Sequence, residues 1–399
     1  MSNALHSIAS YEALHTAWKR LFNEARPKSR DTYGIDKVSL NDFKVNEVAN
    51  LKQISNELRH GKYTFLGLKP YFIPKPGGKL RLICVPCTRD RIVQGALLNF
   101  LSERYTSRFS NAVSYGFLKD RGVKKALLIA QSKRTAKPWV LKTDIKSFFD
   151  NIDRVDLKLK LKKVVRETSL HPLLNSIVDA EIVTFTRTER KKVASLEIKQ
   201  GRGVRQGMPL SPFFSNVVLE NFDKATTKAG YSALRYADDL IFFGPNNDFC
   251  KEIERFCIRE LSRIDLAIPP SGIHGSKTVI YDPTQDADFL GLTISPSGKG
   301  YIVKVSDQQI AKIVETFNDL SKVSELVARK LSLGNLGNYL RARKAGFINA
   351  YDACTNLASL ESQLDDVEQR VLRILYVKEL GINLSEISAE AYGFLGLRT

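Results

Sequence analysis

Apolar residues recur at three- and four-residue steps near the start of the chain, at Leu5, Ile8, Tyr11, Leu14, Trp18, Leu21 and Phe22. That period predicts helix over residues 1–30, with Pro27 as its stop. Val48, Leu51, Ile54 and Leu58 fall on one face of a second helix, from about Val45 to His60, with Gly61 beyond its end. Then the pattern changes. Tyr71-Phe72-Ile73-Pro74 and Leu80-Arg81-Leu82-Ile83 flank Lys75-Pro76-Gly77-Gly78-Lys79, which predicts a β-hairpin over 71–86 with a basic tip. Residues 90–105 read as helix, and Val140-Leu141-Lys142-Thr143-Asp144-Ile145 as a buried strand ending in a carboxylate. Mixed helix follows over 155–180, then a helix over 212–229 and a hairpin over 234–243 around Ala237-Asp238-Asp239. A helix over 248–264 and strands near 278–281 and 289–294 come next, and the pattern is mostly helical from about 305. The chain has no internal repeat, low-complexity tract or long linker, so its domains are expected to share one continuous body.

Composition narrows the class. A chain of 399 residues has room for about two or three domains or one multi-lobed enzyme. With 43% hydrophobic and 26% charged residues, a disordered chain is excluded. Lys and Arg number 61 against 43 Asp and Glu, a net charge of +18, which points to a polyanionic partner, above all nucleic acid. No apolar run is long enough for a transmembrane helix. The opening Met1-Ser2-Asn3-Ala4-Leu5-His6 lacks a basic stretch followed by an apolar one, so no secretory signal is expected. Five cysteines, an odd and sparse number, fit reduced thiols and a cytoplasmic location. Cys84-Val85-Pro86-Cys87 stands without a second cysteine pair, so zinc is not expected there.

The chemistry concentrates at Tyr236-Ala237-Asp238-Asp239. Two adjacent acids at the turn of an otherwise apolar hairpin are costly unless a cation neutralises them, and a hairpin turn aims at least one carboxylate into a cleft. A solvated turn is the ordinary alternative. Asp144, far away in sequence, ends a second strand; acids at neighbouring strand ends make a paired-metal site for phosphoryl chemistry, whereas an isolated Asp there caps the next helix. The loop Gly203-Val204-Arg205-Gln206-Gly207-Met208-Pro209-Leu210-Ser211-Pro212 brings backbone close to a base pair or sugar, or simply starts a helix. Lys75 and Arg81 on the basic hairpin fit a phosphate clamp, or a solvated basic turn.

The order of these motifs resembles reverse transcriptases, specifically the bacterial group II intron-like lineage, over roughly residues 30–295. Ile73 to Arg81, with Val85-Pro86 and Asp90-Arg91-Ile92-Val93-Gln94, is similar to the family's fingers motifs, and Tyr115-Gly116-Phe117 with Arg121-Gly122 to its next block. Asp144-Ile145-Lys146-Ser147-Phe148-Phe149-Asp150 is similar to motif A, Arg205-Gln206-Gly207 through Ser211-Pro212 to motif B, and Tyr236-Ala237-Asp238-Asp239 to motif C. Gly275-Ser276-Lys277-Thr278 resembles motif D, and Phe289-Leu290-Gly291-Leu292 the primer grip of motif E.

The resemblance implies an α+β right-hand polymerase. Residues 1–60 would form an N-terminal helical extension and the start of the fingers, 61–295 the fingers and palm, with palm motifs at 140–153, 203–220, 232–244 and 272–295, and 296–399 a helical thumb. It implies RNA-directed addition of dNTPs to a primer hydroxyl with two Mg²⁺ ions. Asp144, Asp238, Asp239 and the Ile145 carbonyl would be the metal ligands. Phe149 would be the steric gate against a ribose 2′-OH, Gln206 would line the nucleotide site, Lys75 and Arg81 would hold the triphosphate, and Lys277 would protonate the pyrophosphate. On the thumb, Arg341, Arg343 and Lys344 beside Tyr339 and Phe347 suit either a backbone-tracking helix or an amphipathic core helix with a solvated basic face. Retron enzymes usually carry an Asn-Ala-x-x-His element and a Val-Thr-Gly element; here Asn111-Ala112 is followed by Val113-Ser114-Tyr115, and the thumb has no Val-Thr-Gly. The layout is more similar to stand-alone antiphage-defence reverse transcriptases, which implies a noncoding RNA partner and a DNA product. A retron-type enzyme, a template-independent or protein-primed DNA polymerase and a non-catalytic maturase-like scaffold remain alternatives. The sequence sets no oligomeric state.

Overall fold

The computed structural model describes residues 4–74, 80–196, 198–298 and 300–397. The chain opens with α1 (Ala4–Ile8), α2 (Tyr11–Glu24), α3 (Leu40–Val45) and α4 (Glu47–Arg59). The expected single first helix is interrupted because Ser10 adopts an extended conformation and accepts the Ala13 amide as the N-cap of α2. The hairpin β1 (Lys69–Pro74) and β2 (Leu80–Val85) follows, antiparallel, pairing Lys69 with Val85 and Pro74 with Leu80. The basic tip, including Lys75, lies outside the described residues.

Next come α5 (Thr88–Phe109), α6 (Val123–Ala136), β3 (Trp139–Asp144), α7 (Phe148–Asn151), α8 (Arg154–Val164), α9 (His171–Val178), α10 (Arg187–Ala194) and α11 (Ser211–Lys228). Then follow β4 (Ser232–Tyr236), β5 (Asp239–Gly244), α12 (Asn247–Ser262), β6 (Val279–Tyr281), β7 (Ala287–Phe289), β8 (Leu292–Ser297) and β9 (Gly300–Lys304). The chain closes with α13 (Asp307–Asn318), α14 (Val323–Ala328), α15 (Leu333–Ala350), α16 (Leu357–Ile374) and α17 (Ala389–Phe394). A four-stranded sheet runs in the order β4-β5-β3-β6, and β7-β8-β9 form a separate antiparallel meander. The fold is therefore α+β.

Contacts divide the chain into two compact units. The first comprises Met1–Gly122, Thr143–Phe242 and Asp248–Val279. Its core includes α11, which is buried on nearly every side: Phe213, Phe214, Val217, Val218, Leu219 and Phe222 are all inaccessible, as are Leu240, Ile241 and Phe242 of β5. Its polar Asn216, Glu220 and Asp223 are buried as well. Trp18 of α2 packs on Phe43 of α3, with ring centroids 4.8 Å apart. Asp90, in a segment matched to the fingers motifs, is a buried staple: it accepts the Tyr63 hydroxyl at 2.7 Å and the Leu66 amide at 3.1 Å, fixing the approach to β1.

The second unit comprises Val123–Lys142, Phe243–Asn247 and Ile280–Thr399. Within it, the buried Arg134 of α6 donates to the carbonyls of Ile294 (2.5 Å), Gln285 (2.6 Å) and Asp282 (3.0 Å), and lies over the Tyr301 ring. Leu290 and Gly291 both have left-handed φ, the two-residue turn that fits the twist of a hairpin. The domain division expected between 295 and 296 falls inside β8, because residues 287–304 form one hydrogen-bonded sheet. The residues after this sheet are helical, as the pattern of the chain predicts. No helix among the described residues is long and apolar enough to cross a membrane.

Candidate active site

The site begins where β3 ends. Asp144 is its last residue, and the next two amides are tied down: Ile145 donates to the Asp238 carbonyl (3.0 Å) and Lys146 to the Ala267 carbonyl (2.8 Å). Ser147 is left-handed, φ 45, and turns the chain into α7. On the other side, β4 and β5 are joined through Ala237 and Asp238 alone, and so short a connection requires antiparallel strands. Ala237 is also left-handed, φ 57. Gly116 lies against this turn so closely that a Cβ there would stand 2.5 Å from the Ala237 nitrogen. That contact explains the glycine of Tyr115-Gly116-Phe117: only a residue without a side chain lets this loop lie against the turn.

Two further segments close the site. The Cys84 amide donates to the Gln206 carbonyl (2.7 Å), and a Cβ on Gly207, φ +110, would meet the Cys84 carbonyl at 2.5 Å. The hairpin strand carrying Arg81 is thus stitched to the loop carrying Gln206. The Thr143 and Thr278 hydroxyls hydrogen-bond at 2.6 Å, both side chains buried, which sets Lys277 beside Asp144. Lys277 forms an ion pair with Asp144.

These segments surround a cavity of about 320 Å³. Arg81 and Cys84 come from β2, Asp144, Ile145, Ser147, Phe148 and Asp150 from the end of β3 and α7, Arg205 and Gln206 from the glycine loop, Asp238 from the turn, and Lys277 from before β6. Leu80 and Leu82 of β2, with Leu196 and Ile198, complete the lining. A larger, mostly apolar cavity of about 750 Å³ involves α5 and α11, with Leu98, Leu101, Phe117 and Phe213 in its wall. It contains neither Asp144 nor Asp238 and carries none of this chemistry.

Six of the expected site residues therefore meet: Asp144, Ile145, Asp238, Lys277, Arg81 and Gln206. Asp239 is the first residue of β5 and is not in the lining. Successive residues entering a strand point to opposite faces, so the turn delivers one carboxylate of the pair. Among the described residues no trio of His, Cys, Asp or Glu gathers as a metal cluster; of the three acids in the lining, Asp144 and Asp238 come from the strand end and the turn, and Asp150 lies on α7, 3.9 Å from Arg205 Nη1. At the expected gate, Phe148 lines the cavity, while Phe149 packs edge-on against it with centroids 5.0 Å apart. Cys84 and Cys87 are both buried, and burial pushes each thiol up to about 12, away from the thiolate a zinc site needs.

The sequence reading gave no role to Arg205, Asp150, Leu196 or Ile198. Arg205 is 1% exposed; its Nη2 donates to the Lys199 carbonyl at 3.2 Å, and its Nη1 stands 3.9 Å from Asp150. Its place between Val204 and Gln206 in the glycine loop was the available signal. Leu196 and Ile198 follow α10 in a stretch with no motif, and nothing in their spacing marks them.

The electrostatics follow from this packing. Burial pushes the Asp238 carboxyl above the ordinary carboxylate range, and the Asp144 charge pushes it further, while Lys277 and Arg81 pull the other way. Asp144 Oδ1 is buried with no hydrogen-bond partner. Two acids sharing a half-closed cavity, one with an unsatisfied oxygen, fit a hard divalent cation with oxygen ligands. Facing cations on three sides suit a phosphate-rich substrate.

Curated relatives resemble the chain over part of its length. Protein YkfC of Escherichia coli (strain K12) is 31% identical over 206 residues, 49% of this chain and 50% of that protein. The group II intron-encoded protein LtrA of Lactococcus lactis subsp. cremoris is 26% identical over 211 residues, 53% of this chain and 33% of LtrA. The retron Ec83 reverse transcriptase of Escherichia coli is 29% identical over 261 residues, 63% of this chain and 76% of that enzyme. The chain thus spans about half the length of YkfC and a third of LtrA. Residues 73–294, more than half of the chain and every segment lining the cavity, match the family described as reverse transcriptase (RNA-dependent DNA polymerase), and the chain belongs to that family.

Proposed function

We propose that this reverse transcriptase adds dNTPs to a primer hydroxyl on an RNA template, with Asp144, Asp238 and the Ile145 carbonyl holding two Mg²⁺ ions. The observation that carries the reading is the cavity itself: the paired carboxylates, with one orphaned buried oxygen, face Lys277, Arg81 and Arg205. The ions would supply a more acidic attacking hydroxyl and neutralise phosphate charge. The protein's own groups do the rest. Arg81, with Lys75 from the hairpin tip, holds the triphosphate; Gln206 contacts the nucleotide from a backbone locked to β2; Lys277, within reach of Asp144, delivers a proton to the departing pyrophosphate. Phe149 discriminates against ribose, with Phe148 supporting it from inside the cavity.

The partner is a dedicated noncoding RNA, the product is DNA and the setting is antiphage defence in the cytoplasm. The +18 charge and relatives named as a retron enzyme and a group II intron protein support the RNA partner. Primer extension on an RNA template, with labelled dNTPs and Mg²⁺, tests the chemistry: incorporation is expected, with none in Asp238→Asn. Undiminished synthesis by Asp238→Asn contradicts it. Phe149→Val is expected to admit ribonucleotides, and unchanged discrimination removes the gate assignment. Sequencing the nucleic acid that co-purifies from the host tests the RNA partner.

A further inference from the structure

Arg235 lies just before the Tyr236-Ala237-Asp238 turn, and its side chain is fully buried. Its guanidinium forks onto Asp223 of α11, Nε to Oδ1 at 2.7 Å and Nη2 to Oδ2 at 2.5 Å. Nη2 also donates to Ser114 Oγ at 2.9 Å, and Nη1 and Nη2 reach Asn216 Oδ1 at 3.3 and 3.2 Å. One donor leaves this nest: Nη1 bonds the Ala237 carbonyl at 3.2 Å. Asn216 and Asp223 lie two helical turns apart on α11 and so share a face. Asn216 in turn donates to the Gly116 carbonyl at 3.2 Å, holding the glycine that abuts the turn.

A buried Arg–Asp pair contributes little net stability, because desolvation offsets its attraction and an apolar pair of similar size fills the space as well. An apolar pair has no donor for the Ala237 carbonyl. Ala237 carries a Cβ in the left-handed region, a conformation that needs support from its surroundings. Its carbonyl is the far end of the peptide that begins Asp238. Fixing that peptide fixes where the Asp238 carboxylate points and where the Asp238 carbonyl meets the Ile145 amide.

We propose that Arg235, clamped by Asp223, is a positioning residue that aims Asp238 into the cavity by holding the Ala237–Asp238 peptide. The inference rests on the polymerase reading of the cavity, but part of its test does not. The decisive variant is the double substitution Arg235→Met/Asp223→Leu, which removes the pair without leaving a buried charge; Asp223→Asn, which keeps an acceptor, accompanies it. The measurements are the unfolding midpoint, primer-extension kcat and dNTP KM, and amide hydrogen exchange at Ile145. Exchange at Lys146, whose amide bonds Ala267 instead of the turn, is the internal control.

The double variant is expected to unfold cooperatively near the parent's midpoint, with kcat lowered about tenfold or more, KM changed less than about threefold, and Ile145 exchange accelerated relative to Lys146. Asp223→Asn is expected to show the same changes, smaller. A folded double variant with parental kcat and parental Ile145 exchange overturns the proposal. If the double variant does not fold, Asp223→Asn decides, and parental kcat and exchange there overturn it equally. Accelerated Ile145 exchange in a chain whose parent makes no DNA supports the positioning role and refutes the polymerase reading instead.

Discussion

The backbone amide of Ile145 donates to the carbonyl of Asp238 at 3.0 Å, so the strand end carrying Asp144 and the turn carrying Asp238 form one hydrogen-bonded unit. That unit brings two carboxylates into one cavity, and the protein bears the cost: Asp238 is half-buried and feels the Asp144 charge. Function and stability therefore oppose each other here. Asp238→Asn is expected to abolish synthesis while stabilising the ion-free protein by about 1 kcal/mol, a rise of a few degrees in unfolding midpoint. Thermal unfolding in chelator checks it; a lowered midpoint contradicts the strain between the two acids.

Lys277 pairs with Asp144 yet is 69% exposed, so its head group is held by that carboxylate and little else. Lys277→Ala is expected to lower kcat about 100- to 10,000-fold, the range of a lost general acid, while the fold survives. Lys277→Arg, which keeps charge but not a transferable proton, is expected to restore dNTP KM and not kcat. Single-turnover extension separates the two, and full kcat in Lys277→Ala removes the assignment.

Gly207 connects the glycine loop to β2, and its left-handed φ of +110 and its approach to the Cys84 carbonyl leave no room for a methyl group. Gly207→Ala is expected to destabilise by about 1–3 kcal/mol and raise dNTP KM, because Gln206 moves with the displaced loop. Gly61 is also left-handed, φ +66, but has open space around it, so Gly61→Ala is expected to cost only the backbone strain. Chemical denaturation of the two variants, with dNTP titration, makes the comparison; equal effects contradict the stitching of loop to strand.

Away from the cavity, burial pushes the Asp90 carboxyl up to about 6. In the unfolded chain it ionises near 4, so between about pH 4 and 6 unfolding releases a proton and stability falls as pH rises, by about 2–3 kcal/mol in all, then levels off. Asp90→Asn is expected to lose this slope while keeping an acceptor for Tyr63 or Leu66. Denaturant unfolding at pH 4, 5, 6 and 7 measures it, and an unchanged slope in the variant contradicts the burial of a charge there.

The site was legible where chemistry needs particular residue types at strand ends and turns. Asp144 and Asp238 are two such residues, and apolar flanks marked both strands. Asp239 opens β5 and stands outside the cavity lining, a placement that the doublet in the sequence does not disclose. Arg235 and Asp223 were passed over because two residues on different elements meet only in the folded core. The break at Ser10 was hidden because the apolar period continues through the cap. The strand β9 escaped notice because its five residues, Gly300–Lys304, are too short a run to stand out, and only their pairing with β8 defines them.

The central claim is that Asp144 and Asp238 jointly hold the cations on which DNA synthesis depends. Titration of Mn²⁺ in the presence of a dNTP, followed by electron paramagnetic resonance, tests it without requiring turnover. The account predicts two bound ions for the parent chain and weakening by at least about tenfold in both Asp144→Asn and Asp238→Asn, each folded by thermal unfolding. Parental Mn²⁺ affinity and stoichiometry in either folded variant would contradict it.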